Sequence, residues 1–121
     1  MKFPDDTGVS PSKKAELLAR LSRLHIVLAN IEEQAVKGSG PGGQKMNKTM
    51  SGVLLRYQHE GVPFVIKWTR ERQHSLNRFL ALRELCDQVE ERFSPDTSKR
   101  LQERERIRKQ KDRNRRRNAS D

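Results

Sequence analysis

Residues 36–49 read VKGSGPGGQKMNKT and gather the chemistry of the chain into one stretch. Gly38, Gly40, Gly42 and Gly43 are four of its seven glycines, Pro41 lies among them, and Gln44, Lys45, Asn47, Lys48 and Thr49 follow at once. A backbone without side chains lets another molecule come close to its N–H groups. Glycine-rich turns that lead into helices cradle phosphates in this way. A nucleotide loop of the G-x-x-x-x-G-K-[ST] type needs a glycine directly before its lysine. Here Lys48-Thr49 follows Asn47 and Lys45 follows Gln44, so that pattern is not met. A plain flexible connection is the other ordinary reading, against which stand Pro41 within the loop and the Lys-x-x-Lys spacing of Lys45 and Lys48. The stretch holds no carboxylate and no histidine, so it carries no general base of its own.

The elements on either side must hold this loop. SPSKKAELLARLSRLHIVLANI predicts a helix over about 11–30, capped by Ser10 with Pro11 at its first position. Leu17, Leu21, Leu24 and Leu28 recur at helical spacing, with Leu18 beside them. EEQAVK is a short strand running into the glycines, and KMNKTMS suits a short helix after them. GVLLRYQ and PFVIKW alternate as strands and, with a glycine in HEGV between them, form a hairpin. HSLNRFLALRELCDQVEERF is a second long helix with Leu76, Phe79, Leu80, Cys86, Val89 and Phe93 on its apolar stripe, ended by Ser94-Pro95. Cys86 on that stripe reads as a small core residue. Trp68 and Tyr57 read as core, with stacking on bases as the alternative.

These elements form a small α+β domain: a sheet containing a β-hairpin, packed helices, and a basic C-terminal tail. Residues 1–30 form the N-terminal segment, 31–93 the domain around the glycine loop, and 94–121 the tail. The tail holds 11 Lys and Arg against 5 Asp and Glu, with only Leu101 and Ile107 as larger apolar residues. It cannot bury a face, so a frayed helix or disorder is expected in isolation. A solvated solubility tail is one reading. RNA binding through Lys99, Arg100, Arg104, Arg108, Lys109, Arg113, Arg115, Arg116 and Arg117 is the stronger one.

The 121 residues allow one domain, and 32% hydrophobic against 35% charged residues leave room for a modest core only. The net charge of +10 directs the chain to polyanions, nucleic acid before an anionic membrane surface. No apolar run is long enough to span a bilayer, and MKFPDDTGVS lacks the look of a signal peptide or a mitochondrial presequence. A single cysteine excludes an internal disulfide and fits a reducing compartment. With three scattered histidines it makes no zinc pattern, so neither metal nor cofactor is expected. A cytoplasmic location is expected, or the mitochondrial matrix if a presequence has been removed.

GSGPGGQKMNKT closely resembles the GGQ loop of class I peptide-chain release factors and their stop-codon-independent relatives. The shared pattern is carried by Ser39, Gly40, Gly42, Gly43, Gln44, Asn47 and Lys48, and RERQHSLNR, with Gln73, His74 and Asn77, looks like the family's Arg-rich approach to its second helix. The resemblance covers residues 31–93. It implies hydrolysis of the ester between a nascent peptide and the terminal ribose of tRNA, in the peptidyl-transferase centre of the large ribosomal subunit. Gly42, Gly43 and Gln44 are then the catalytic residues. The Gln44 backbone N–H would donate to the tetrahedral oxyanion, where a preorganised donor acts most strongly. The Gln44 side chain would admit a nucleophile no larger than water, and RNA groups would move the protons. Lys45, Lys48, Arg70 and Arg72 would meet rRNA phosphates, with Asn47 and Thr49 either joining them or fixing the loop's exit. The resemblance also implies N5-methylation of Gln44 by a dedicated methyltransferase.

A stop-codon reader of this family needs a separate recognition domain and its tripeptides, which this chain lacks. It therefore resembles the short members that free stalled peptides without reading a codon. Two subgroups compete. In the alternative-rescue-factor type, a basic tail enters the empty mRNA channel of a stalled ribosome. The release-factor-in-rescue type acts on split large subunits that retain peptidyl-tRNA, with an RNA-binding partner protein. Glu103, Glu105 and Asp112 interrupt the basic tail and favour the second, while Lys45 and Met46, where many members carry His and Val, leave the subgroup open. A monomer without membrane contact is expected. A non-catalytic, basic RNA-binding accessory protein of the ribosome is the alternative, and a DNA-compacting protein a distant third.

Overall fold

The computed structural model describes residues 1–5, 7–37 and 50–119. The expected helix over KMNKTMS lies for the most part outside them. Among the described residues, three α-helices and one three-stranded antiparallel sheet form a small α+β domain, as the sequence predicts.

Helix α1 spans Pro11–Arg23. The Ser10 side chain accepts a hydrogen bond from the Lys13 N–H, and Pro11 occupies the first turn, where its missing N–H costs nothing. The helix ends seven residues before residue 30, the limit set by the leucine spacing. His25 adopts a left-handed φ of 59°. Its N–H donates to Ser22 C=O at 3.2 Å, and the Ile26 N–H reaches back to Leu21 C=O at 2.9 Å. This is a Schellman stop built on histidine, sealed by the buried Ile26 and Leu21. No glycine or proline marks it in the sequence, which is why the spacing overran it. Leu24 remains buried beyond the helix, whereas Leu18 faces solvent.

The sheet order is β1-β2-β3, with β1 at Glu32–Val36, β2 at Gly52–His59 and β3 at Val62–Trp68. The β2–β3 turn is Glu60-Gly61, with φ of 48° and 83°. Two positive φ values in a two-residue loop match the right-handed twist of the flanking strands, and glycine fits the second without penalty. Val53, Leu55, Tyr57, Phe64 and Ile66 point inward and are buried. Their alternating neighbours Arg56, Gln58, Val65 and Lys67 are exposed.

Helix α2, His74–Phe93, covers the inner face of the sheet. Phe79, Ala81, Leu82, Leu85, Cys86 and Val89 are buried, while Leu76 and Leu80 of the predicted stripe are only half-buried. α2 packs against the sheet, α1 and α3 together, so its buried surface is wider than one stripe. Burial pushes the Cys86 thiol up to about 12, which leaves it inert in the core.

Helix α3, Lys99–Ala119, is the tail. The Ser98 hydroxyl accepts from the Leu101 N–H at 3.2 Å and caps it. Exposed ion pairs at i,i+3 run along it: Arg106–Glu103 at 2.5 Å, Arg108–Glu105 at 2.6 Å and Arg115–Asp112 at 3.6 Å. Among the described residues, no helix is long and apolar enough to cross a membrane.

Candidate functional site

Gly42, Gly43, Gln44, Lys45, Asn47, Lys48 and Thr49 lie outside the described residues. The structure instead defines the neck from which the glycine stretch leaves the sheet and to which it returns. β1 and β2 are antiparallel, and their ladder ends at the pair Val36–Gly52. A Cβ on Gly52 would stand 2.6 Å from Thr69 Cγ2, 3.0 Å from Val36 Cγ2 and 3.1 Å from the Val36 carbonyl oxygen. Glycine is required here by close approach, not by its φ.

Directly before Gly52, the Ser51 carbonyl accepts two side-chain hydrogen bonds from the start of α2. Asn77 Nδ2 donates at 2.7 Å, and His74 Nδ1 lies at 3.1 Å, which makes Nδ1 the protonated ring nitrogen. Asn77 is 0% exposed. Its Nδ2 also donates to Glu71 C=O at 2.8 Å, and its Oδ1 accepts from the Glu71 N–H at 2.9 Å. A buried amide in apolar surroundings is costly unless its polar atoms are paired. Here they are paired entirely by backbone groups of two other segments. The sequence marks Asn77 through the family resemblance of RERQHSLNR, but its partners could not be read from spacing.

Arg70 and Arg72 flank Glu71 and are exposed. The Arg70 guanidinium lies over the Trp68 ring, 4.6 Å from its centroid. Trp68 is half-buried, so one ring serves both packing and a cation–π contact. Tyr57 is a core residue, its hydroxyl 2.9 Å from His59 Nδ1.

A second polar cluster joins α1, α2 and the turn that leads into α3. Glu90, 3% exposed, pairs with Arg20 at 2.9 Å and Arg23 at 2.8 Å from α1. It also accepts from the Thr97 hydroxyl at 2.9 Å. Arg20 bonds Asp87 at 2.8 Å as well. Burial would raise the Glu90 carboxyl, but the bonds from Thr97, Arg23 and Arg20 outweigh it and hold it below the ordinary value.

The profile of the RF-1 domain matches residues 20–121, from the end of α1 through the sheet, α2 and the tail. The chain belongs to the RF-1 domain family of class I release factors. It is 38% identical over 91 residues to the mitochondrial translation release factor in rescue of Danio rerio, covering 74% of this chain. It is 40% identical over 68 residues to the Homo sapiens protein of that name, covering 56% of this chain. The chain spans 57% and 40% of those two relatives' own lengths.

Within this RF-1 domain the basic tail divides in two. Arg100 bonds Glu84 at 2.8 Å and also the Glu91 carboxylate, and lies 3.8 Å from Asp87. Arg104 stands 3.9 Å from Glu91. Arg100 therefore fastens α3 to α2 rather than facing outward, a use invisible in the sequence because its acids lie on another helix. Lys99, Arg108, Lys109, Arg113, Arg115, Arg116 and Arg117 are exposed along α3. Among the described residues, no group of three or more His, Cys, Asp or Glu is placed to hold a metal ion.

Proposed function

We propose that this chain hydrolyses peptidyl-tRNA on the ribosome without reading a codon and so releases nascent chains from stalled translation. One observation carries this reading: the RF-1 domain match runs through residues 20–121 and encloses an intact Gly42-Gly43-Gln44. Gly42 and Gly43 keep side chains away from the tRNA end. The Gln44 N–H donates to the oxyanion that forms when water attacks the ester carbonyl, and the side chain limits the pocket to water. The loop brings no general base, so proton transfer falls to ribosomal RNA and tRNA hydroxyls. The activity therefore depends on the ribosome.

Lys45, Lys48, Arg70, Arg72 and the outer part of α3 supply phosphate contacts, which position the domain and make binding salt-dependent. Arg100 serves the fold in this scheme. The relatives' names place them in mitochondrial translation and in rescue, which favours the mitochondrial matrix over the cytoplasm and the release-factor-in-rescue type over the alternative. Methylation of Gln44, an RNA-binding partner protein and a monomeric state belong to the same reading.

The test is release of labelled peptide from peptidyl-tRNA by the wild-type chain and by Gly43→Ala. Both are run on ribosomes stalled on truncated mRNA and on isolated large subunits carrying peptidyl-tRNA. Release by wild type alone, strongest on large subunits, is expected. Binding without release on either particle, with Gln44 methylated and unmethylated, overturns hydrolysis in favour of an accessory RNA-binding role.

A further inference from the structure

We propose that Asn77 is a positioning residue for the glycine stretch, acting through the Ser51 carbonyl; the proposal rests on the release reading above. The carboxamide is fully buried and bonds only backbone groups, at Ser51 and Glu71. Ser51 is the residue from which the chain enters β2 after the glycines, and Glu71 lies between the two exposed arginines. One side chain thus holds two otherwise separate strands of backbone in a fixed relation. His74 adds a second bond to the same carbonyl. Gly52, the next residue, packs so closely on Val36 and Thr69 that it has no room for a Cβ.

The consequence is directional. A backbone N–H serves as an oxyanion donor only if it arrives at the right place and angle. A misplacement of about 1 Å at a catalytic group costs on the order of 10²-fold in rate. The Asn77 clamp fixes the exit of the loop that carries Gln44. It also ties that exit to the peptide beside Arg70 and Arg72, so an RNA contact at these arginines orients the neck.

The experiment measures kcat and KM for peptide release by Asn77→Ala, His74→Ala and Val89→Ala. Val89 is buried on the same helix, away from Ser51, and reports loss of stability alone. We expect kcat to fall on the order of 10²-fold in Asn77→Ala and by a smaller factor in His74→Ala, with KM unchanged and Val89→Ala retaining its kcat. Wild-type kcat in folded Asn77→Ala, or an equal loss in Val89→Ala, overturns the proposal. If Asn77→Ala does not fold, His74→Ala, at a half-buried position, decides it by the same criterion. If the wild-type chain itself releases nothing, the release reading fails, and amide hydrogen exchange decides the clamp on its own. Faster exchange over residues 50–53 in the two clamp variants, with 54–59 unchanged, supports it; unchanged exchange at 50–53 overturns it.

Discussion

Val36 and Gly52 close the β1–β2 ladder as its last pair, and the Val36 side chain and carbonyl occupy the space a Cβ on Gly52 would need. Gly52→Ala therefore has to push β1 away from β2 or turn Thr69 and Val36 out of their places. Overpacking of this kind costs about 1–3 kcal/mol. A lower midpoint in urea unfolding is expected, with peptide release reduced beyond what the folded fraction explains. Wild-type values of both would mean that the neck is softer than its geometry implies.

The Glu90 cluster gives the domain a pH dependence of known sign. The carboxyl is held below its ordinary value in the folded chain. Its stabilisation is therefore fully present above the pH range in which an unfolded glutamate titrates, and is lost as pH falls through the depressed folded value. Glu90→Gln should remove this component and flatten the acid limb of the stability curve. At neutral pH it should cost about 2 kcal/mol, less than the ~3–5 kcal/mol of a fully buried pair, because Arg23 is 49% exposed. Thermal unfolding of both proteins across the acid range checks both statements.

Outer and inner arginines of α3 should behave differently. Replacing Arg115, Arg116 and Arg117 by Gln should leave the unfolding temperature unchanged and make ribosome binding less salt-sensitive. Each lost phosphate contact lowers the slope of log K against log salt by about 0.7–0.9. Arg100→Gln should lower stability, since it leaves Glu84 and Glu91 without their shared cation. Equal salt slopes for the wild type and the triple variant would remove the outer tail from the RNA interface.

Strands β2 and β3 were legible because one face is buried and the other wet, so Val53, Leu55, Tyr57, Phe64 and Ile66 alternate with the more exposed Leu54, Arg56, Gln58, Val65 and Lys67. The glycine stretch and its resemblance were legible because such a loop is written in consecutive residues. What escaped were features set by partners distant in sequence. The stop at Arg23 depends on His25 taking a left-handed φ with no glycine to announce it. α2 is buried on several sides, so Leu82 and Leu85 are more deeply buried than Leu76 and Leu80. Asn77 meets Ser51 across 26 residues and Arg100 meets Glu84 across 16, and neither contact leaves a local trace.

Helix α3 turns a composition into a distance. At about 1.5 Å per residue, its 21 residues form a rod roughly 30 Å long, pinned through Arg100 near its base. A disordered tail of the same charge would sweep a cloud and accept phosphates wherever it met them. A rod presents its cations at set distances from its fastening, and the turn of residues 95–97 that leads into it is itself tied to α2 through Thr97 and Glu90. The fastened helix thus fixes how far from the rest of the domain its outer cations stand.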